Sequence, residues 1–384
     1  MTADNIEEKK VQPATVMNAA TKEYKDKTHA AMLQLYNISK TEVMTPSVGD
    51  AYTVTRDPHL RLRRTLAPSL DVGLPKYAEA QFMLSKSEST GKRISLEFGV
   101  DFDGTRKYFT MDGYAFGASE QEATIRIVTL HGISSGVSRT RWHKLGERYN
   151  IIHKESSSPK KVRFVALDWH SIDRSVDDDS NTEFLTCLPK HIMEVSPTDV
   201  EEIATLHASQ ERQEWYRGFA KAVSSGVCPR GFDDGARLLR GVIEEGLNWG
   251  KVDTPFILGM KSWSGGLAMR FLSQLNQSGS EEDKAFAENI QAAIIMHPGC
   301  FDKKDITDVM SSGIIKTALM VWAKDDPLIP YPVTQLYLDA AGSNGDDEKI
   351  KFISYERGGH HNFDGTDNLP NFDDSVIEWV NNLP

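Results

Sequence analysis

The sequence predicts an α/β protein built on a mostly parallel sheet, and three observations carry that prediction. From Ile125 onward, short β-branched or apolar runs alternate with helical stretches, the pattern of a parallel sheet covered by helices on both faces. Just before that alternation, residues 92–102 show strict period-2 hydrophobicity, the signature of a half-buried antiparallel strand. The composition, 39% hydrophobic and 26% charged over 384 residues, is that of a globular chain able to bury a sizeable core.

The first strand presents Ile94, Leu96, Phe98, Val100 and Phe102 on one face. Asp103-Gly104 supplies a turn, and residues 108–116 return as its partner, so an antiparallel hairpin leads into the sheet. The following runs are 125–130, ending at His131-Gly132; 162–167, ending at Asp168; 255–259, continuing to Lys261; 292–296; 318–322; and 350–355. Helical patterns at 232–249 and 266–275 separate some of these, and 376–380 closes the chain with another. Open α/β sheets bind ligands beyond the carboxyl ends of their strands. The informative residues are therefore those just after each run.

Between Asp168 and Pro255 lies far more chain than one crossover helix needs. The segment 232–249 supplies that helix. The excess, about 176–230, carries a second helical pattern with Val200, Ile203, Leu206, Trp215, Tyr216 and Phe219, opened by a capping box of Thr198 and Glu201. It is expected to be a helical insertion, a lid over the strand ends. Residues 1–90 are expected to form a partly helical extension, with a helical pattern at 14–36 and a Pro- and Arg-containing connector after it. The α/β domain proper is expected to span 91–384.

A net charge of −11 opposes nucleic-acid binding, which needs a basic footprint. Cys187, Cys228 and Cys300 are too few and too widely spaced for a disulfide framework or a zinc site. The polar start of the chain is unlike a signal peptide, and no apolar run reaches the roughly 18–20 residues of a membrane span. The expected location is cytoplasmic.

The segment Ser262-Trp263-Ser264-Gly265-Gly266 sits between an apolar strand and a helical run. A serine on a sharp strand-to-helix turn is a nucleophile elbow, where the residues two before and two after must be small. Ser264 meets that demand through Ser262 and Gly266 and is the preferred nucleophile. Ser262 is the alternative, with Met260 a poor fit at the small position; Lys261 at the elbow would put Trp263 there. In this register the segment resembles the G-x-S-x-G elbow of the α/β-hydrolase superfamily, in its serine esterase and lipase-like branch, with Ser262 where the first glycine usually stands.

Further motifs follow in that superfamily's order. The stretch 321–330, with Asp325-Asp326-Pro327-Leu328-Ile329-Pro330, resembles its acid turn. Alignment on the tail selects Asp326, with Asp325 as the alternative. Gly358-Gly359-His360-His361 resembles the Gly-His pair after its last strand and selects His360, with His361 as the alternative. The residues from Asp168 to Ser175 resemble the stretch after its fourth strand, both glycines being replaced by Ser171 and Asp173. The resemblance implies an oxyanion hole from the backbone N–H groups of Gly265 and Ile133, with His131 a structural loop residue. It also implies hydrolysis of a carboxylic ester or thioester through an acyl-enzyme, on a small, partly apolar acyl substrate, with no cofactor or metal. A ligand-binding protein on the same scaffold, an acyltransferase and a carbon–carbon bond hydrolase use the same parts. Neither substrate nor oligomeric state can be read from these motifs.

Overall fold

The computed structural model describes residues 91–384 apart from 103, 133–140, 156–159, 170–172, 175–200, 203, 207–209, 211–212, 215–216, 218–230, 300–302, 327–328, 348, 361–368 and 370. The extension 1–90 and most of the insertion 176–230, with Trp215, Tyr216, Phe219 and the Thr198 cap, lie outside the described residues.

The hairpin forms as the alternation requires. Strand β1 (Lys92–Phe102) pairs antiparallel with β2 (Thr105–Gly117), and Phe102 faces Thr105 across the turn. Strands β3 (Ile125–Leu130), β4 (Val162–Leu167), β6 (Phe256–Lys261), β7 (Ile290–Met296), β8 (Ala318–Ala323) and β9 (Ile350–Tyr355) run parallel to one another. Strand β2 is antiparallel to both β1 and β4. The spatial order is β1-β2-β4-β3-β6-β7-β8-β9, and a two-residue strand β5 (Asp173–Arg174) pairs with β2.

Residues of β3, β6 and β8 are buried throughout, which explains their continuous apolar runs: both faces of the sheet are covered. Successive residues of β6 feed opposite cores. Phe256, Leu258 and Met260 join one cluster, and Ile257 joins the other. On the second face pack α1 (Arg141–Glu155), through Trp142, Leu145 and Tyr149, and the C-terminal α7 (Phe372–Asn382), through Phe372, Val376 and Val380.

The first face is covered by α2 (Gly231–Gly241), which continues into one π-helical turn at Val242–Gly246, and by α3 (Trp263–Gln277). It also carries α4 (Glu281–Glu288), α5 (Lys303–Ser312) and α6 (Val333–Ala341). Within the insertion, residues 201–202 and 204–205 are helical, and Ala204 is buried in this same core.

The expected strands match to within three residues. The helix expected at 266–275 differs in a consequential way: α3 starts at Trp263. No described helix is long and apolar enough to cross a membrane.

Candidate active site

Four polar residues follow directly on the carboxyl ends of adjacent strands: His131 after β3, Asp168 after β4, Ser262 after β6 and His297 after β7. Ser262 is the hinge between strand and helix. Its φ of 56° with ψ of −132° is a conformation that side chains other than glycine adopt rarely and at a cost. Its carbonyl is anchored from two sides, by the N–H of Gly265 at 2.8 Å and that of Gly299 at 2.7 Å. Its hydroxyl meets Nε2 of His360 at 2.9 Å.

His360 arrives on the turn after β9, where Gly359 has a φ of 53°, a left-handed conformation that favours glycine. Nδ1 of His360 lies 2.8 Å from Oδ2 and 3.1 Å from Oδ1 of Asp326. A carboxylate only accepts, so Nδ1 carries the proton and Nε2 offers its lone pair to the Ser262 hydroxyl. Asp326 is held by the N–H of Ile329, which donates to Oδ1 at 3.0 Å. Hydroxyl, imidazole and carboxylate thus form one hydrogen-bonded line.

Ser264 is not on that line. It sits in the first turn of α3, fully buried, and its hydroxyl lies 3.0 Å from the Leu130 carbonyl and 2.8 Å from that of Lys261, while accepting from the Lys261 N–H at 2.9 Å. The structure thus brings Ser262, the alternative, and not the preferred Ser264, within reach of His360. Ser264 was preferred because, at the position two before Ser262, Met260 fails the small-residue rule. Its side chain in fact points into the core on the α3 face, while the position two after Ser262 is filled by a serine tied to the backbone. The signal available in the sequence was the strand end itself: the apolar run reaches Lys261, and Ser262 follows it without a gap.

The N–H of Gly265, expected as an oxyanion donor, donates to the Ser262 carbonyl at 2.8 Å. Glycine is needed there for another reason. A Cβ would lie 2.2 Å from the Pro298 Cβ and 2.7 Å from its Cα, so no side chain fits between α3 and the turn after β7. Ile133 and His361 lie outside the described residues.

Asp325 is exposed, and its carboxylate accepts from the Gly359 N–H at 2.7 Å, steadying the turn that carries His360. His131 is fully buried and bound to backbone at both ring nitrogens: Nδ1 lies 2.7 Å from the Gly132 carbonyl, and Nε2 accepts from the Trp169 N–H at 3.0 Å.

Sequence reasoning missed two groups. Lys261, 2% exposed, has its ammonium pushed down to about 8 by burial, against the opposing pull of Asp326 and with a smaller push from Arg141. His297, fully buried, stacks on His360 with ring centroids 4.2 Å apart. His297, Asp326 and His360 together are the kind of set that could hold a metal ion, but the Asp326–His360–Ser262 line already engages both nitrogens of His360.

The strand order is mixed, with only the second of eight strands reversed and helices on both faces, so the chain has an α/β fold built on a mostly parallel sheet. Similar solved structures include naproxen esterase from Bacillus subtilis, with 12% identity, 85% of this chain and 99% of that one covered, and a TM-score of 0.40. Est1E from Butyrivibrio proteoclasticus has 12% identity, covering 74% and 96%, at a TM-score of 0.37. Thermogutta terrifontis esterase 2 has 14% identity, covering 76% and 93%, at a TM-score of 0.36. No protein-family model matches the sequence, and neither does any curated protein.

Proposed function

We propose that this protein is a serine hydrolase that cleaves carboxylic esters or thioesters through an acyl-enzyme, with Ser262 as nucleophile, His360 as general base and acid, and Asp326 as the acid that orients it. The observation that carries the reading is the contact of the Ser262 hydroxyl with His360 Nε2 at 2.9 Å, the other ring nitrogen being engaged by Asp326 at 2.8 Å. A serine hydroxyl is a weak nucleophile unless a base takes its proton as it attacks.

In the first half-reaction the Ser262 Oγ–carbon bond forms, and the proton passes to His360 Nε2. The bond to the alcohol or thiol then breaks as His360 returns that proton to the leaving group. In the second, His360 takes a proton from water, whose oxygen adds to the acyl carbon, and Ser262 leaves with its proton restored. Asp326 stabilises the imidazolium formed in each half.

The tetrahedral oxyanion needs backbone donors. Trp263 opens α3 directly after the nucleophile; N–H groups of a helix's first turn lack intrahelical partners, and the dipole there favours negative charge. We assign Trp263 as one donor and, from the family resemblance, Ile133 as the other. No cofactor enters this chemistry.

The test is labelling with a fluorophosphonate probe. Native protein and Ser264→Ala are expected to label, and Ser262→Ala is not. Label retained in Ser262→Ala would move the nucleophile elsewhere.

A further inference from the structure

The turn His297-Pro298-Gly299 meets the site at three points. Gly299 donates to the Ser262 carbonyl at 2.7 Å, Pro298 abuts Gly265 at the start of α3, and the His297 ring packs on His360. His297 is held tightly. It is fully buried, its N–H donates to the Val321 carbonyl at 3.0 Å, and its φ is 32°, a value unusual for a residue with a side chain. Its ring is tilted 34° to that of His360 at 4.2 Å between centroids, and its Nδ1 lies 3.8 Å from Asp326 Oδ2. That oxygen is the one nearer His360, 2.8 Å from its Nδ1.

Two imidazoles therefore address one carboxylate oxygen, one at hydrogen-bond distance and one an ångström further. An apolar aromatic ring would back His360 equally well. What a histidine adds is a ring nitrogen near the carboxylate.

We propose that His297 is a positioning residue for the catalytic set: its ring walls one face of the His360 imidazole, keeping Nε2 aimed at Ser262, and its nitrogen draws on the Asp326 carboxylate, limiting how strongly that charge favours protonation of His360. The inference rests on the reading of Ser262, His360 and Asp326 given above. Among the described residues, the titratable groups seen to face His297 include His360 and Asp326. Asp326 also interacts with the buried Lys261 at the end of β6, and Lys261 in turn with Arg141 at the start of α1.

The two functions separate by substitution. His297→Phe keeps a planar wall without nitrogens, and His297→Ala removes both. In His297→Phe the carboxylate no longer shares its charge with a second imidazole. The midpoint of the His360 ring-proton NMR titration is expected to rise by about half a unit or more, the acidic limb of kcat/KM on p-nitrophenyl acetate moving with it. In His297→Ala, kcat is expected to fall about tenfold or more with KM little changed, a larger loss than in His297→Phe, because a loosened base spends less time in line with the hydroxyl.

A titration midpoint and acidic limb that stay in place in His297→Phe, or a His297→Ala enzyme with native kcat, would overturn the proposal. If His297→Ala does not fold, the titration of His297→Phe still decides. Ring titration needs no turnover, so it is read independently of the labelling of Ser262→Ala, on which the hydrolase reading itself stands or falls.

Discussion

His131 with Asp168 and His360 with Asp326 are the same residue types in the same layer of the molecule, each pair buried just beyond the carboxyl ends of parallel strands. Their surroundings differ in one respect. At His131 both ring nitrogens meet main chain, the Gly132 carbonyl on one side and the Trp169 N–H on the other, with Asp168 Oδ1 at 3.3 Å from Nε2. At His360 one nitrogen meets a carboxylate and the other a side-chain hydroxyl. A buried histidine beside an aspartate is thus no sign of catalysis by itself. The difference is the third partner: backbone partners make His131 a latch between β3 and β4, and a hydroxyl partner on a strained turn suits His360 to the role of base proposed above.

The contrast breaks most directly by removing each ring in turn. His360→Ala is expected to lower turnover of a short p-nitrophenyl ester by ~10³-fold or more, since triad members act as a unit. Steady-state kinetics checks this. His131→Ala is expected to show the opposite balance: measurable turnover, but a loss of about 2–3 kcal/mol in urea unfolding, because the buried Trp169 N–H loses its acceptor. If the latch variant lost turnover while remaining fully stable, the division between the two pairs would fail.

The neighbourhood of Asp326 holds a further charge, Lys261. With its ammonium pushed down to about 8 by burial, the folded state lacks a proton that the unfolded chain keeps up to about 10.4. Unfolded chain then binds more protons between those values, so this residue makes stability rise with pH through that window. Below it both states are charged, and the full cost of the buried ammonium is present. Lys261→Met is expected to be more stable than native at pH 7 by about 2 kcal/mol, part of the gain being offset by the lost attraction to Asp326. The difference should shrink toward pH 10. Unfolding at the two pH values reads it, and a constant difference would put the lysine's charge in solvent.

The smallest effect is expected at Ser264, whose hydroxyl joins the end of β3, which leads into His131, to the elbow. Ser264→Ala should cost about 1 kcal/mol and leave turnover within about tenfold of native. A loss as deep as that of Ser262→Ala would reverse the roles given to the two serines.

Much of this was legible in the chain. The period-2 face of Ile94 to Phe102 and the apolar runs after it became strands within three residues of expectation. Asp326 and His360, selected by the residues around them, meet in space. Ser262 was weighed and set aside, because Met260 breaks a steric rule whose force depends on which core the side chain enters. His297 gave no sequence signal beyond following directly on a strand.

What the sequence determined alone is what local physics controls: where the chain extends or coils, which faces are apolar, and where strands end. Those features follow from backbone geometry and hydrophobic period over a few residues. Which of two serines two positions apart meets a histidine, and what each buried histidine meets, depended on partners 98 and 34 positions away. Only the packed sheet and its helices bring such groups within hydrogen-bond distance, so the tertiary structure decided which side chains meet.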